Sequence, residues 1–211
     1  GVTTLGQHLA TLRGIKHADV DDFFWMPTNP PFTTKRPAEE RVPLIQQVLG
    51  DDDWVLTGSC MVWGEALLTE VDLIVFVSTP TPLRLERLAA REQQRFGERI
   101  APGGDMHEIH VAFRQWASQY EDPNFSGRNR AWHEAWLAGK TAPVLRIDGS
   151  NDAQTMVADV VKALASGAKG CFLGRAWAYA VAARGEPAVG GLHGAECRHL
   201  GPEAVHALVV Q

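Results

Sequence analysis

The chain has 211 residues, of which 45% are hydrophobic and 21% are charged, a composition typical of one globular domain with or without an appendage. The formal net charge of −5 excludes an overall basic surface, so we expect no nucleic-acid partner. No apolar run approaches the ~20 residues of a membrane helix, and the three cysteines lack zinc-binding spacing. We therefore expect a cytoplasmic protein without a membrane partner.

The hydrophobic pattern predicts strands that alternate with helices. In chain order we expect a helix at 3–13, a strand at 15–20, an irregular segment at 21–37, a helix at 38–49, strands at 54–59 and 71–79, helices at 81–96, 106–120 and 129–138, a strand at 142–150 and a helix at 152–165. The continuous apolar run VDLIVFVST is typical of a parallel strand covered on both faces. This alternation predicts an α/β domain with one parallel sheet and helices on both faces.

The opening residues, GVTTLG, match part of the phosphate-binding loop G-x-x-x-x-G-K-[ST]. If Gly1 is the last glycine of that loop, Val2 stands at the lysine position and Thr3 supplies the hydroxyl for Mg²⁺, while Thr4 follows within the helix. The alternative is the ordinary start of a helix. On the first interpretation the chain is truncated at its N-terminus and lacks the first strand, which leaves an open slot in the middle of the sheet.

Several further segments follow in a characteristic order: DVDDFFWMPTNPPFTTKRPAEER, WVLTGS, VDLIVFVSTP, RLERLAAREQQRFGERIAPGGDM and VLRIDGS. Together with GVTTLG they resemble adenylate-kinase-like P-loop proteins, including bacterial AAA-family ATPases, over about residues 1–160. The resemblance implies a three-layer P-loop NTPase fold, binding of ATP and Mg²⁺, and phosphoryl transfer to a nucleotide or another small acceptor. Val2 departs from the family pattern, so a nucleotide-binding protein without kinase activity is the alternative.

Polar residues follow three of the predicted strands. Asp21 and Asp22 come after the first, where carboxylates could hold Mg²⁺ or an acceptor hydroxyl; Asp22 is the candidate catalytic residue, and the alternative is a solvated turn. Gly58 and Ser59 lie where the second strand ends and could face the acceptor, or form a plain tight turn. Gly149 follows the last strand and could border the adenine.

Basic residues form two further groups outside the central helix. Lys35, Arg36 and Arg41 could bind phosphate of the acceptor or of ATP, although an exposed basic helix start is equally compatible with the pattern. Arg128 and Arg130 are weaker candidates for contacts with ATP.

The helix at 81–96 carries the strongest charge pattern. Arg84, Arg87, Arg91 and Arg95 recur at spacings of three and four, so they share one broad face. This pattern predicts a lid whose cations close over the ATP phosphates, with Arg87 and Arg91 as catalytic residues and Arg84 and Arg95 as cofactor-binding ones. Interleaved glutamates leave a solvated, salt-bridged face as the alternative.

The C-terminal residues 161–211 are expected to be an extension outside the kinase-like domain 1–160. Residues 159–189 resemble the last βα unit of FMN-dependent α-hydroxy-acid dehydrogenases and oxidases, in which a pair matching Gly174 and Arg175 binds the flavin phosphate. Such a barrel needs ~250 residues, so FMN is not an expected cofactor and an oxidoreductase fragment remains an alternative. We expect the tail to pack loosely outside and the chain to fold poorly, unless KGCFLG at 169–174 fills the slot.

Overall fold

The computed structural model describes residues 1–165 and 206–210. Strands are found at β1 Lys16–Asp19, β2 Trp54–Thr57, β3 Leu73–Ser78, β4 Val144–Asp148 and β5 His206–Val210. Helices are found at α1 Val2–Arg13, α2 Val20–Phe24, α3 Ala38–Leu49, α4 Thr81–Phe96, α5 His107–Ser118, α6 Arg130–Ala138 and α7 Ala153–Ala165. The predicted α/β class is confirmed, and each of the four predicted strands forms.

The sheet has five strands in the order β1-β2-β5-β3-β4, and every pair is parallel. Its central strand, β5, pairs with both neighbours: Ala207 lies opposite Val55 of β2 and also opposite Leu73 of β3. The expectation of an open slot is therefore wrong, since residues 206–210 occupy the middle of the sheet. The KGCFLG segment lies outside the described residues.

Successive residues of the central strands point to opposite faces, as a strand requires. On one face, α1 and α7 pack against the sheet around a cluster that includes Leu5, Val75, Val160 and Val209, all fully buried. On the other, α3 and the end of α6 pack around a cluster that includes Ile45, Leu56 and Phe76. Burying such side chains contributes ~1.5–3 kcal/mol each, so both helical layers are fixed to the sheet by apolar contact.

Local signals explain where two of the helices begin or end. Gly14 ends α1 in the left-handed conformation, with φ 67°, which glycine adopts without steric cost. The segment predicted to be irregular begins with the short helix α2, because the Asp19 carboxylate accepts a hydrogen bond from the Asp21 N–H and caps it. Among the described helices, none is both long and apolar enough to cross a membrane.

Candidate functional site

The carboxyl ends of the parallel strands meet at one edge of the sheet. Strands β1 to β4 follow one another from one edge of the sheet to the other, and the chain then returns to place β5 between β2 and β3. In open parallel sheets, ligands bind outside the carboxyl ends of the strands. Helix α1 begins here: the Thr3 hydroxyl donates a hydrogen bond to Asp19 Oδ2 at 2.7 Å, at the end of β1.

The first turn of α1 presents backbone donors to this edge. The Leu5 N–H donates to the Gly1 carbonyl at 3.0 Å, so the N–H groups of residues 2–4 precede the first intrahelical bond and have no partner within the helix. Thr4 is exposed, whereas the Val2 side chain packs against the cluster beneath α1. Val2 therefore brings apolar contact to the position where the P-loop pattern has a positive charge.

Three carboxylates gather beside the start of α1. The pKa of Asp21 is raised by burial and then by the negative charge of Asp19, against the opposing effects of Arg128 and Arg91. The pKa of Asp22 is also raised, first by burial and then by Asp19. The charge of Asp19 thus disfavours the ionised forms of Asp21 and Asp22, and a cation beside Asp19 would offset that effect.

The donors at this point fit Mg²⁺. The Thr3 hydroxyl and the Asp19 carboxylate are hard oxygen ligands, and Mg²⁺ is usually held by one or two carboxylates together with waters and substrate phosphates. No group of three or more His, Cys, Asp or Glu side chains within the described part of the chain is arranged to hold a metal. A metal bound by Thr3 and Asp19 would therefore need further ligands beyond these two side chains.

Sequence analysis selected Asp21 and Asp22 but missed Asp19, which makes the direct contact with Thr3. A signal was present, because Asp19 is the last residue of β1 and so lies at the ligand-binding edge of a parallel sheet. The sequence prediction instead chose Asp21 and Asp22, which follow Asp19 and lie in α2.

Three of the four predicted lid arginines lie around the same edge. Arg87 donates to the carbonyl of Gly149 and, at 3.2 Å, to that of Ser150, which ties α4 to the turn after β4. The pKa of the Gly1 amino group is lowered by burial and then by the positive charges of Arg87 and Arg91. Arg95 lies close enough to Asp22 to oppose the rise in its pKa.

The fourth, Arg84, is directed elsewhere. Its guanidinium donates to the Thr81 hydroxyl and the Ala117 carbonyl, both at 3.1 Å, and lies 4.6 Å from the ring centroid of Tyr120. It connects α4 to the end of α5. Its predicted role at the ATP phosphates therefore has no counterpart in these contacts.

Gly149 is required by close packing between two turns. Its N–H donates to the Ser78 carbonyl at 2.7 Å, and a Cβ at this position would lie 2.1 Å from the Thr79 hydroxyl oxygen. The predicted contact of Gly149 with adenine stays a prediction. Next to this turn is a cleft of about 390 Å³, lined by Ser78, Pro80, Arg130, Arg146, Ile147 and Asp148.

The predicted acceptor-side cations are engaged in holding their own segment. Arg41 is buried, donates through Nε and Nη2 to the Arg36 carbonyl, and lies 4.3 Å from the ring centroid of Phe24. Arg36 donates to the Phe23 carbonyl at 3.0 Å. Lys35 is exposed. The structure thus places Arg36 and Arg41 in a scaffold around α2, apart from the cluster of Thr3 and Asp19.

Gly58 and Ser59 lie at the carboxyl end of β2. Gly58 has φ 97°, and its N–H donates to the Val209 carbonyl at 3.0 Å, which extends the pairing with β5. Ser59 Oγ lies 3.4 Å from His133 Nε2. His133, on α6, is fully buried and was not selected from the sequence, because a lone histidine in a helix gives no spacing signal.

Arg128 also comes close to the carboxylates. Its guanidinium carbon lies 5.1 Å from the ring centroid of Trp116, and its Nε has no hydrogen-bond partner among the described residues. Burial lowers the pKa of Arg128, while Asp21 and Tyr120 act in the opposite direction. The sequence ranked this residue below the α4 arginines, yet its charge lowers the pKa of Asp21 more than the charge of Arg91 does.

Comparison with known proteins gives two findings. The FMN-dependent dehydrogenase family matches residues 155–194, about a fifth of the chain, which supports the resemblance stated for the C-terminal segment. The match begins within α7, and Gly174 and Arg175 lie outside the described residues. No solved structure matches the chain.

The second finding covers most of the molecule. The chain is 36% identical over 167 residues to the uncharacterized protein YqaC of Bacillus subtilis (strain 168), a match that spans 79% of this chain and 92% of YqaC. The resemblance to adenylate-kinase-like proteins is tested by neither comparison. From identity and coverage at this level, the chain belongs to the same family as YqaC.

Proposed function

We propose that the carboxyl edge of the sheet binds a magnesium–nucleoside triphosphate such as ATP, and that the protein transfers a phosphoryl group to a small acceptor or nucleotide. The observation that carries the proposal is the 2.7 Å hydrogen bond from Thr3 to Asp19. It joins a hydroxyl in the first turn of a helix to a carboxylate at the carboxyl end of a strand of the parallel sheet. Phosphate and Mg²⁺ sites combine these features.

The roles of the residues follow from their chemistry. The N–H groups of residues 2–4 donate to phosphate oxygens, and the partial positive charge at the start of α1 favours an anion there. Thr3 and Asp19 hold the metal, which when bound neutralises charge on the phosphates. Arg87 and Arg91 supply the further positive charge that phosphoryl transfer requires.

The acceptor lies, on this proposal, between Asp21, Asp22 and Ser59. Asp21 and Asp22 have raised pKa values, which is the direction that brings a carboxylate closer to the range useful for accepting a proton. Either carboxylate can orient an acceptor hydroxyl. The cleft beside Gly149 would take the nucleoside on the opposite side of β5.

One observation favours a second function, nucleotide binding without transfer. Val2 packs into an apolar cluster and provides no charge where the P-loop pattern has lysine. Arg87 and Arg91 then supply the side-chain positive charge for phosphoryl transfer. An FMN-dependent activity is not proposed, because the matching segment covers only residues 155–194.

Residues 1–160 remain the proposed nucleotide-binding domain, and β5 extends it, since residues 206–210 form its central strand.

The test is ATP consumption by the 211-residue chain with Mg²⁺, measured with and without a panel of nucleoside monophosphates and small alcohols. Thr3→Val removes the hydroxyl that contacts Asp19. Thr11→Val is the matched control, because Thr11 is exposed on the same helix and bonds only to its own turn. We expect acceptor-dependent turnover in the wild type and in Thr11→Val, with at least a tenfold loss in Thr3→Val. Equal turnover in all three proteins would rule out this site, and tight MgATP binding without turnover would favour the second function.

A further inference from the structure

A buried chain of hydrogen bonds runs from the interior to the proposed acceptor site. The Tyr120 hydroxyl lies 2.6 Å from His133 Nδ1, and His133 Nε2 lies 3.4 Å from Ser59 Oγ. These residues come from three separate elements, since Tyr120 belongs to a 3₁₀ turn after α5, His133 to α6 and Ser59 to the loop after β2. His133 and Tyr120 are both buried, whereas Ser59 is partly exposed.

The surroundings of His133 keep it neutral. Its ring packs edge-on against Phe76, with the ring centroids 6.0 Å apart, and burial together with the charge of Arg128 lowers its pKa to about 4. A neutral imidazole carries one N–H donor and one acceptor nitrogen. The hydrogen bonds from Tyr120 through His133 to Ser59 can therefore be donated in only two directions. Each direction gives Ser59 a different role.

The two directions differ in hydrogen-bond strength. A phenol is much more acidic than an aliphatic hydroxyl, so Tyr120 is the better donor to an unprotonated nitrogen, and the short bond is the one to Tyr120. If Tyr120 donates to Nδ1, the proton of His133 is on Nε2 and is directed at Ser59 Oγ. The hydroxyl hydrogen of Ser59 is then free to point into the site.

We infer that Ser59, held by His133 and Tyr120, binds the acceptor as a hydrogen-bond donor to an anionic oxygen, such as that of a phosphoryl or carboxylate group. The inference rests on the proposed function, and it names the class of acceptor. A second observation points the same way, because the Nε of Arg128 lacks a hydrogen-bond partner among the described residues. Arg128 adds positive charge close to His133 and Asp21, which suits an anion at this place.

The first measurement is the tautomer of His133 in the full chain labelled with ¹⁵N-histidine, with the His133 signals assigned by their loss in His133→Gln. We expect a protonated Nε2 and an unprotonated Nδ1 in the wild type. In Tyr120→Phe the donor to Nδ1 is absent, so a mixture of both tautomers is expected. A wild-type His133 protonated on Nδ1 would overturn the inference, because Ser59 would then donate inwards.

The second measurement follows the Ser59 and Gly58 amide signals during titration with inorganic phosphate and, separately, with acetate. Ser59→Ala should weaken binding about tenfold, as expected for one hydrogen bond to a charged group. Ser59→Thr should restore it, and Ser118→Ala, a change at an exposed hydroxyl of α5, should have no effect. Binding of phosphate alone would identify a phosphoryl group, whereas binding of acetate as well would include carboxylates.

Equal affinity of wild type and Ser59→Ala for both anions, or no binding of either anion, would contradict the inference. Failure of the proposed function can be distinguished from failure of this inference. In a protein that does not bind MgATP, the tautomer of His133 and the affinity of the Ser59 site for phosphate can still be measured.

Discussion

Two basic regions of this molecule use their cations differently. On α4, Arg91 lowers the pKa of the Gly1 amino group, and Arg87 has the same effect but also donates to the carbonyls of Gly149 and Ser150. Between α2 and the first turns of α3, Arg36 and Arg41 donate hydrogen bonds to backbone carbonyls at 2.6–3.0 Å, and Arg41 is buried against Phe24. A charge pattern in the sequence thus locates the basic residues, but it does not show which of their side chains remain available to a ligand.

Both regions depend on the same sheet, so the largest effect is expected from its central strand. Val209 is fully buried between β2 and β3, and Val209→Asp places a charge there without a partner. We expect the free energy of unfolding to fall by more than about 4 kcal/mol, with loss of the cooperative transition in urea. Val62→Asp, at an exposed position, is the control. A cooperative transition that is unchanged in Val209→Asp would show that residues 206–210 do not complete the sheet.

Arg41 tests whether the basic residues around α2 stabilise the fold. Arg41→Ala removes two charge-assisted hydrogen bonds to Arg36 and the contact with Phe24, so we expect unfolding to become easier by about 2–4 kcal/mol. Lys35→Ala, a change at an exposed side chain of the same segment, should alter stability by less than about 0.5 kcal/mol. Urea denaturation measures both, and equal small effects would place Arg41 with the available cations.

His133 tests the buried hydrogen bonds that connect Tyr120 to Ser59. Its pKa is lowered to about 4 in the folded protein, whereas an unfolded histidine titrates near ~6.5. As pH falls from about 6.5 to 4, the unfolded chain takes up a proton that the folded chain does not, so stability falls by roughly 3 kcal/mol. His133→Gln should flatten this part of the profile, measured by urea denaturation from pH 7 to 4. Parallel profiles for the two proteins would mean that His133 is already accessible to protons.

Arg91 tests whether a positive charge on α4 is available to bind MgATP. The expected change in binding free energy is smaller than the changes in stability described above. Arg91→Gln should weaken MgATP binding about tenfold, equivalent to ~1.4 kcal/mol, and change stability little. Arg13→Gln is the control, because Arg13 is exposed at the far end of α1. Isothermal titration measures the affinities. If the two variants bind MgATP alike, Arg91 is a solvated surface residue.

Much of the architecture could be predicted because it follows from local pattern. The apolar run of β3, the helical spacing of α4 and the Gly14 cap specify their elements within a few residues. The position of β5 could not be predicted, because HALVV is a short apolar run and its pairing partners lie more than 120 residues away in the sequence. Nothing local indicates that it lies between β2 and β3.

The site was predictable in part for a related reason. Strand ends are visible in the sequence, and they gave Asp21, Asp22 and Ser59, whereas the partial P-loop match gave Thr3. Hydrogen bonds between distant residues are not visible, so the contacts of Asp19 with Thr3 and of His133 with Ser59 appear only in the fold. For the same reason the sequence could not separate Arg91 from Arg41.

On the proposed function, Thr3 and Asp19 form one site for metal and nucleotide. The most direct measurement is the affinity of ATP for wild type and Asp19→Asn, each determined by calorimetry with and without Mg²⁺. Asp51→Asn serves as the control, since Asp51 is an exposed carboxylate before β2. We expect Mg²⁺ to tighten ATP binding in the wild type and in Asp51→Asn, and we expect this gain to be lost in Asp19→Asn. The same gain in all three proteins, or no ATP binding by the wild type, would contradict the proposal.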